Sequence, residues 1–263
     1  MNRSASSRLR IRRKASTTAG ADAKGVTWTT AALADSFATA ADGTTTVTIK
    51  GTGGVDVIDA KAVNDATIKL VIDGGLGGTA GKIGDKLTGG AGDDTITASG
   101  LGNHVLVGGG GKDTITGGSG NDTITGGAGA DTLTGNGGND IFKFALASDS
   151  APSAYDTITD FVAKTATVNG DVLQFAKDAF GGDMTAVGAA ITVVVADNGS
   201  LALAALSSAA LGADKTNFAL DKSTGTLYID GTSAAAGTSD GTADMAIMLT
   251  GVTTIDANAI AFV

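Results

Sequence analysis

Between residues 89 and 143 the chain repeats a nine-residue pattern: Gly, Gly, any residue, Gly, any residue, Asp, any residue, Ile or Leu, any residue. The copies are GGAGDDTIT (89–97), then after an extra Ala98 the worn SGLGNHVLV (99–107), GGGGKDTIT (108–116), GGSGNDTIT (117–125), GGAGADTLT (126–134) and GNGGNDIFK (135–143). Asp85 keeps the same phase ahead of Asp94, so AGKIGDKLT extends the array upstream although it lacks two of the glycines. The closing triplet, such as TIT, points its residues outward, inward and outward, as a strand must. The six residues before it have to reverse the chain tightly, through φ > 0 conformations that glycine adopts at little cost. Two units therefore close one coil with strands on two opposed faces, and stacked coils pair as parallel strands about 4.8 Å apart. The expectation is an all-β fold, a parallel β-roll.

Stacking gives the aspartates a purpose. It sets Asp113 over Asp131 and Asp122 over Asp140, amid the carbonyls of the turns. Carboxylates about 5 Å apart repel by roughly 0.8 kcal/mol per pair even in water, and by more where water is excluded. A hard divalent cation with six or more oxygen ligands removes that repulsion, and Ca²⁺ suits flexible carboxylate and carbonyl sites better than Mg²⁺ does. The candidate ligands are Asp85, Asp94, Asp113, Asp122, Asp131 and Asp140, with the turn glycines Gly108, Gly109, Gly111, Gly117, Gly118, Gly120, Gly126, Gly127 and Gly129. About four to six Ca²⁺ ions are expected.

The rest of the composition agrees. With 41 glycines and one proline, a helical bundle is excluded. All 27 acidic residues are Asp, a residue that disfavours helix interiors and suits turns and calcium loops. Arg3, Arg8, Arg10, Arg12 and Arg13, with Lys14, hold six of the 18 basic residues; beyond them twelve Lys oppose 27 Asp, a net of −15. So acidic a body argues against nucleic acid as its partner. The absence of cysteine removes disulfides, thiolate zinc sites and cysteine nucleophiles. No apolar stretch follows the basic amino terminus as a secretory signal peptide requires, and the Ala/Leu run 201–211 is too short to span a bilayer.

Four regions are expected. Residues 1–25 read as a basic arm, either a solvated tail or a contact for an anionic surface or an acidic neighbour. Residues 26–88 hold short β-type runs between Gly/Asp turns, and read as a degenerate solenoid or a small sandwich; within them GTGGVDVID (51–59) already fits the template at its first, fourth, sixth and eighth positions. Residues 89–143 form the roll, and 144–263 a mainly β carboxy-terminal domain.

No catalytic apparatus is expected. The single His, His104, replaces Asp in the worn repeat, and one His makes no zinc triad. GTSDG (237–241) matches G-x-S-x-G without a strand-then-helix setting. Gly81-Lys82 and Gly111-Lys112 are followed by Ile and Asp, so neither opens a phosphate-binding loop.

The nonapeptides resemble the repeats-in-toxin (RTX) family, which Gram-negative bacteria secrete by type I export. NDIFKFALASDSAPSAYDTITDF (139–161) is similar to the segment after the roll in serralysin-type proteases and RTX surface-layer proteins; TGTLYIDGTSAAAG (224–237) and the closing IAFV resemble the family's last strands. The resemblance implies that Asp149 and Asp156 complete a final calcium site, and that residues 144–263 cap the roll and carry the export signal. It further implies a type I secretion apparatus as partner and a secreted, cell-surface location. A self-assembling, surface-layer-like protein is the expected function, its partner a further copy of itself and, through the arm, outer-membrane lipopolysaccharide. The alternative is an adhesin or a glycan- or ice-binding module using Thr95, Thr97, Thr114, Thr116, Thr132 and Thr134 as an outward ladder.

Overall fold

The alternation read from the sequence appears as strands throughout. The computed structural model describes residues 14–15, 26–29, 45–176, 179, 193–198, 217–231 and 243–263. The leading strands are β1 (Lys14–Ala15), β2 (Val26–Thr29), β3 (Thr45–Lys50), β4 (Val57–Asp59), β5 (Ile68–Leu76) and β6 (Ile83–Thr88). The repeats supply β7 (Thr95–Ser99), β8 (Asn103–Gly110), β9 (Thr114–Thr116), β10 (Thr123–Ala128), β11 (Thr132–Thr134) and β12 (Ile141–Phe144). After them come β13 (Asp156–Ile158), β14 (Val172–Phe175), β15 (Val193–Ala196), β16 (Asn217–Asp221), β17 (Thr226–Asp230), β18 (Met245–Leu249) and β19 (Ile260–Phe262). Short 3₁₀ turns interrupt them, and there is no α-helix among the described residues.

From β2 to β14 successive strands alternate between two sheets, as expected of a roll. One sheet runs β1-β2-β4-β6-β8-β10-β12-β14-β19, the other β15-β16-β17-β18-β13-β11-β9-β7-β5-β3. In the repeats the pairing is parallel and one coil apart: Thr123 lies beside Val105 and Ile141, and Thr132 beside Thr114. Both sheets continue past the repeats on either side. β3 pairs with β5, β5 with β7, and β4 with β6, all parallel. Downstream, β13 and β14 add to the two sheets in the same sense. On this side the pattern then changes: β18 joins β13 in parallel, but β17 runs antiparallel between β18 and β16, while β19 joins β14 in parallel. The arm residues Arg3 to Arg13, the Ala/Leu run 201–211 and GTSDG lie outside the described residues; Lys14 and Ala15, expected in the arm, pair antiparallel with Thr27 and Val26.

Each coil contributes two inward side chains, so the core is a double file. Ile72, Ile96, Ile115, Leu133 and Ile158 line one sheet; Ile58, Leu87, Leu106, Ile124, Phe142 and Leu173 line the other, and all are buried. At roughly 25 cal/mol per Å² of apolar surface, so thin a file gives each coil little stability alone, and neighbouring coils must supply the rest. At the carboxy-terminal end the core widens into aromatics. Phe175 stacks on Phe144 with ring centroids 5.4 Å apart and meets Phe218 and Phe262 at 6.1 and 5.8 Å.

The turns confirm why glycine is needed at the second and fourth positions. Gly127 and Gly129 have φ of +108° and +140°, and a Cβ on either would enter the carbonyl oxygen of Gly109 or Gly111 one coil away. Gly129→Ala combines backbone strain with a collision against main chain, so it is expected to cost about 3 kcal/mol or more. Denaturant unfolding in saturating calcium would measure this, and an unchanged midpoint would refute it.

Candidate metal centre

At both edges of the roll each coil's aspartate meets the next coil through one hydrogen bond. Before the strands of the β9 sheet, the Leu70 N–H donates to Asp94 Oδ1 (2.7 Å), the Asp94 N–H to Asp113 Oδ1 (2.8 Å), the Asp113 N–H to Asp131 Oδ1 (2.8 Å) and the Asp131 N–H to Asp156 Oδ1 (2.9 Å). Before the strands of the β10 sheet, the Asp56 N–H donates to Asp85 Oδ1 (2.8 Å) and the Asp85 N–H to His104 Nδ1 (2.9 Å). From there the His104 N–H donates to Asp122 Oδ1 (2.7 Å), the Asp122 N–H to Asp140 Oδ1 and the Asp140 N–H to Asp171 Oδ1 (both 2.8 Å). Two buried lanes, aspartates throughout save for His104 in the second, thus run along the roll.

The second carboxylate oxygens face the turns. Asp94 and Asp122 use theirs to accept the N–H of Gly90 and Gly118, both at 2.7 Å. The Oδ2 atoms of Asp85, Asp113, Asp131 and Asp156 are buried without a hydrogen-bond partner. An orphaned buried acceptor of this kind costs about 1–3 kcal/mol, and more when charged. The first glycines of the repeats make room for these oxygens. A Cβ on Gly108, Gly117 or Gly126 would run into the Oδ2 of Asp113, Asp122 or Asp131, and on Gly109, Gly111, Gly118 or Gly120 into the main chain of the neighbouring coil.

Without a cation the lanes resist ionisation. Burial, reinforced by the neighbouring aspartates, pushes Asp113 and Asp156 up to about 8, Asp85 and Asp140 to about 7 and Asp131 to about 6. Asp149 stands apart from the lanes. Its Oδ2 accepts the N–H groups of Ala145 and Leu146, both at 2.9 Å, and its charge helps to raise Asp131 and Asp156.

The donor set fits a hard cation. It consists of buried carboxylate oxygens with unused lone pairs beside stacked turn carbonyls, with no sulfur. Among the described residues no three His, Cys, Asp or Glu side chains gather into one cluster. An ion here therefore draws on main-chain carbonyls as well as carboxylates, a mixture that Ca²⁺ accepts and the stricter octahedral Mg²⁺ does not favour. Two lane members absent from the candidate list are Asp56 and Asp171. Asp56 occupies the sixth position of GTGGVDVID, and Asp171 precedes β14 as Asp140 precedes β12, so an Asp opening a strand was the available signal.

A parallel β-roll edged by buried aspartate lanes is the architecture of a calcium-stacked solenoid. Residues 80–100 and 107–142 match the family model of the RTX calcium-binding nonapeptide repeat, in four copies. The chain carries RTX repeats and binds Ca²⁺ through them, and four repeats accommodate several ions. No curated protein matches the chain.

Proposed function

We propose that this chain is a calcium-dependent extracellular structural protein, exported unfolded by a type I system, folded by calcium outside a Gram-negative cell and assembled with further copies at the cell surface. The observation that carries the calcium-dependent folding is the file of orphaned Oδ2 atoms on Asp113, Asp131 and Asp156, which only a cation or protons can neutralise in place. Asp85, Asp94, Asp122 and Asp140 serve as ligands in the same lanes, and Asp149 closes the last turn. Self-assembly is supported by the similarity of residues 139–161 to RTX surface-layer proteins and by apolar groups left in water. Val55 and Ile83 border a groove of about 360 Å³. Ile83 is 79% exposed and Leu76 69% exposed, apolar surface that contact with a further copy would cover.

A second reading is favoured by the register of the β9 sheet. Thr95, Thr114, Thr132 and Thr157 form one outward rank, and Thr97, Thr116 and Thr134 a second that Thr159 extends through a 2.7 Å contact between the Thr134 and Thr159 hydroxyls. Such evenly spaced hydroxyls suit a glycan or an ice surface.

Sedimentation velocity in chelator and then in millimolar calcium separates the two. Conversion of a slow, expanded monomer into very large species is expected for the assembling protein. A compact monomer that stays monomeric would overturn assembly and leave the threonine face as the functional surface.

A further inference from the structure

His104 occupies a rung that carries a carboxylate everywhere else in its lane, from Asp56 and Asp85 on one side to Asp122, Asp140 and Asp171 on the other. The imidazole performs half of an aspartate's work. Its Nδ1 accepts the Asp85 N–H, as a carboxylate Oδ1 does on the neighbouring rungs, and its own N–H continues the lane to Asp122. Since Nδ1 accepts, the lone pair there also faces Asp85 Oδ2 at 3.5 Å, and the contact is not an ion pair. A neutral ring whose Nδ1 accepts carries its proton on Nε2. That atom is buried and has no hydrogen-bond partner. It lies against the Gly118 turn, where a Cβ would be 3.1 Å away.

The other half of the work is therefore inverted. Where an aspartate turns a lone pair and a negative charge toward the turn, His104 presents an N–H and no charge. A cation finds a hydrogen instead of an oxygen. A substitution beside it agrees: the same repeat has Ser99 in place of the first glycine.

We propose that His104 is a built-in interruption of one calcium lane. It holds the coil in register without an ion and divides that edge into an upstream section at Asp56 and Asp85 and a downstream section at Asp122, Asp140 and Asp171, while the opposite lane runs unbroken. The inference rests on the reading of the lane aspartates as calcium ligands. It makes the number of ions smaller than the number of turns.

The test is the calcium content of the full chain, measured by native mass spectrometry and elemental analysis after equilibration in millimolar calcium, for the wild type, His104→Asp and His104→Asn. His104→Asp is expected to gain at least one further ion per chain, while His104→Asn, which restores an acceptor without the charge, keeps the wild-type number. Several ions in the wild type with no gain in a folded His104→Asp would overturn the interruption. No calcium in the wild type would overturn the ligand reading first, and the interruption with it. A readout that needs no variant is the ¹⁵N spectrum of the chain's single histidine in calcium. The neutral Nε2–H tautomer is expected, and an Nδ1–H tautomer, which would free Nε2 for a cation, would overturn the proposal.

Discussion

Removing calcium at pH 8 is expected to abolish most of the β signal in circular dichroism, and restoring millimolar calcium to bring it back. The physical reason is the balance between the thin core and the buried lanes. Each coil hides two apolar side chains from water but also buries a polar group, nearly always an aspartate, at each of its two edges, and the Oδ2 atoms of Asp85, Asp113, Asp131 and Asp156 have no hydrogen bond to offset the loss of water. Extracellular calcium modules bind with dissociation constants of about 10⁻⁴ to 10⁻³ M. At ten times that concentration each independent ion contributes about 1.4 kcal/mol, and four contribute about 5 to 6 kcal/mol. That is comparable with the whole stability of a typical domain, about 5 to 15 kcal/mol. A chain poised in this way stays threadable where calcium is scarce and folds where it is plentiful. Full β signal in a calcium-free sample at pH 8 would refute the coupling.

The second large effect is on pH, and its sign is set by the direction in which the lane carboxyls shift. Folding raises Asp113 and Asp156 from 3.8 to about 8 and Asp85 and Asp140 to about 7, with burial the first cause in each case. The folded state therefore holds these protons more tightly than the unfolded chain does. The stability they contribute is complete below about pH 3.8 and is lost as the pH rises through the range from about 6 to 8. Calcium-free protein, without most of its β signal at pH 8, is accordingly expected to regain it as the pH is lowered to about 5.5. Calcium affinity should move the opposite way, tightening from pH 6 to pH 8 as each ion has fewer protons to displace. General repulsion within an acidic chain also weakens at low pH, so Asp113→Asn combined with Asp156→Asn separates the causes. The double variant should flatten the calcium-free profile if the lanes are responsible; an unaltered slope would assign it to overall charge.

Much of the roll was legible because its instructions are local. A residue such as Ile115 is inward because its two Thr neighbours point outward, and Gly127 is a glycine because the backbone there turns through φ > 0. Even the exception obeys this chemistry: Asn136, which replaces a second glycine, adopts φ of +67°, in the left-handed region that Asn tolerates better than most residues. The extra Ala98 was visible as a change of phase, and it lengthens one step in each lane, from Asp94 to Asp113 and from Asp85 to His104, to 19 residues where the step that follows is 18.

Beyond the repeats the spacing fails as a guide. The lane reaches from Asp131 to Asp156 across 25 residues and from Asp140 to Asp171 across 31. Insertions in the turns change the coil length at little cost as long as the strands return to register, so sequence distance no longer reports spatial distance.

From the sequence alone came the parallel roll, its inward file, the stacking of the repeat aspartates and the oxygen-rich character of their edge, because each depends on the conformational preferences of a few adjacent residues. Only the tertiary structure decided that Asp56 and Asp171 join the lanes, that Asp149 folds back on its own turn, that β17 runs against its neighbours β16 and β18, and that His104 replaces a carboxylate as acceptor while withholding its second lone pair. Those outcomes depend on which coil lies beside which, and that is determined by the pairing of whole sheets.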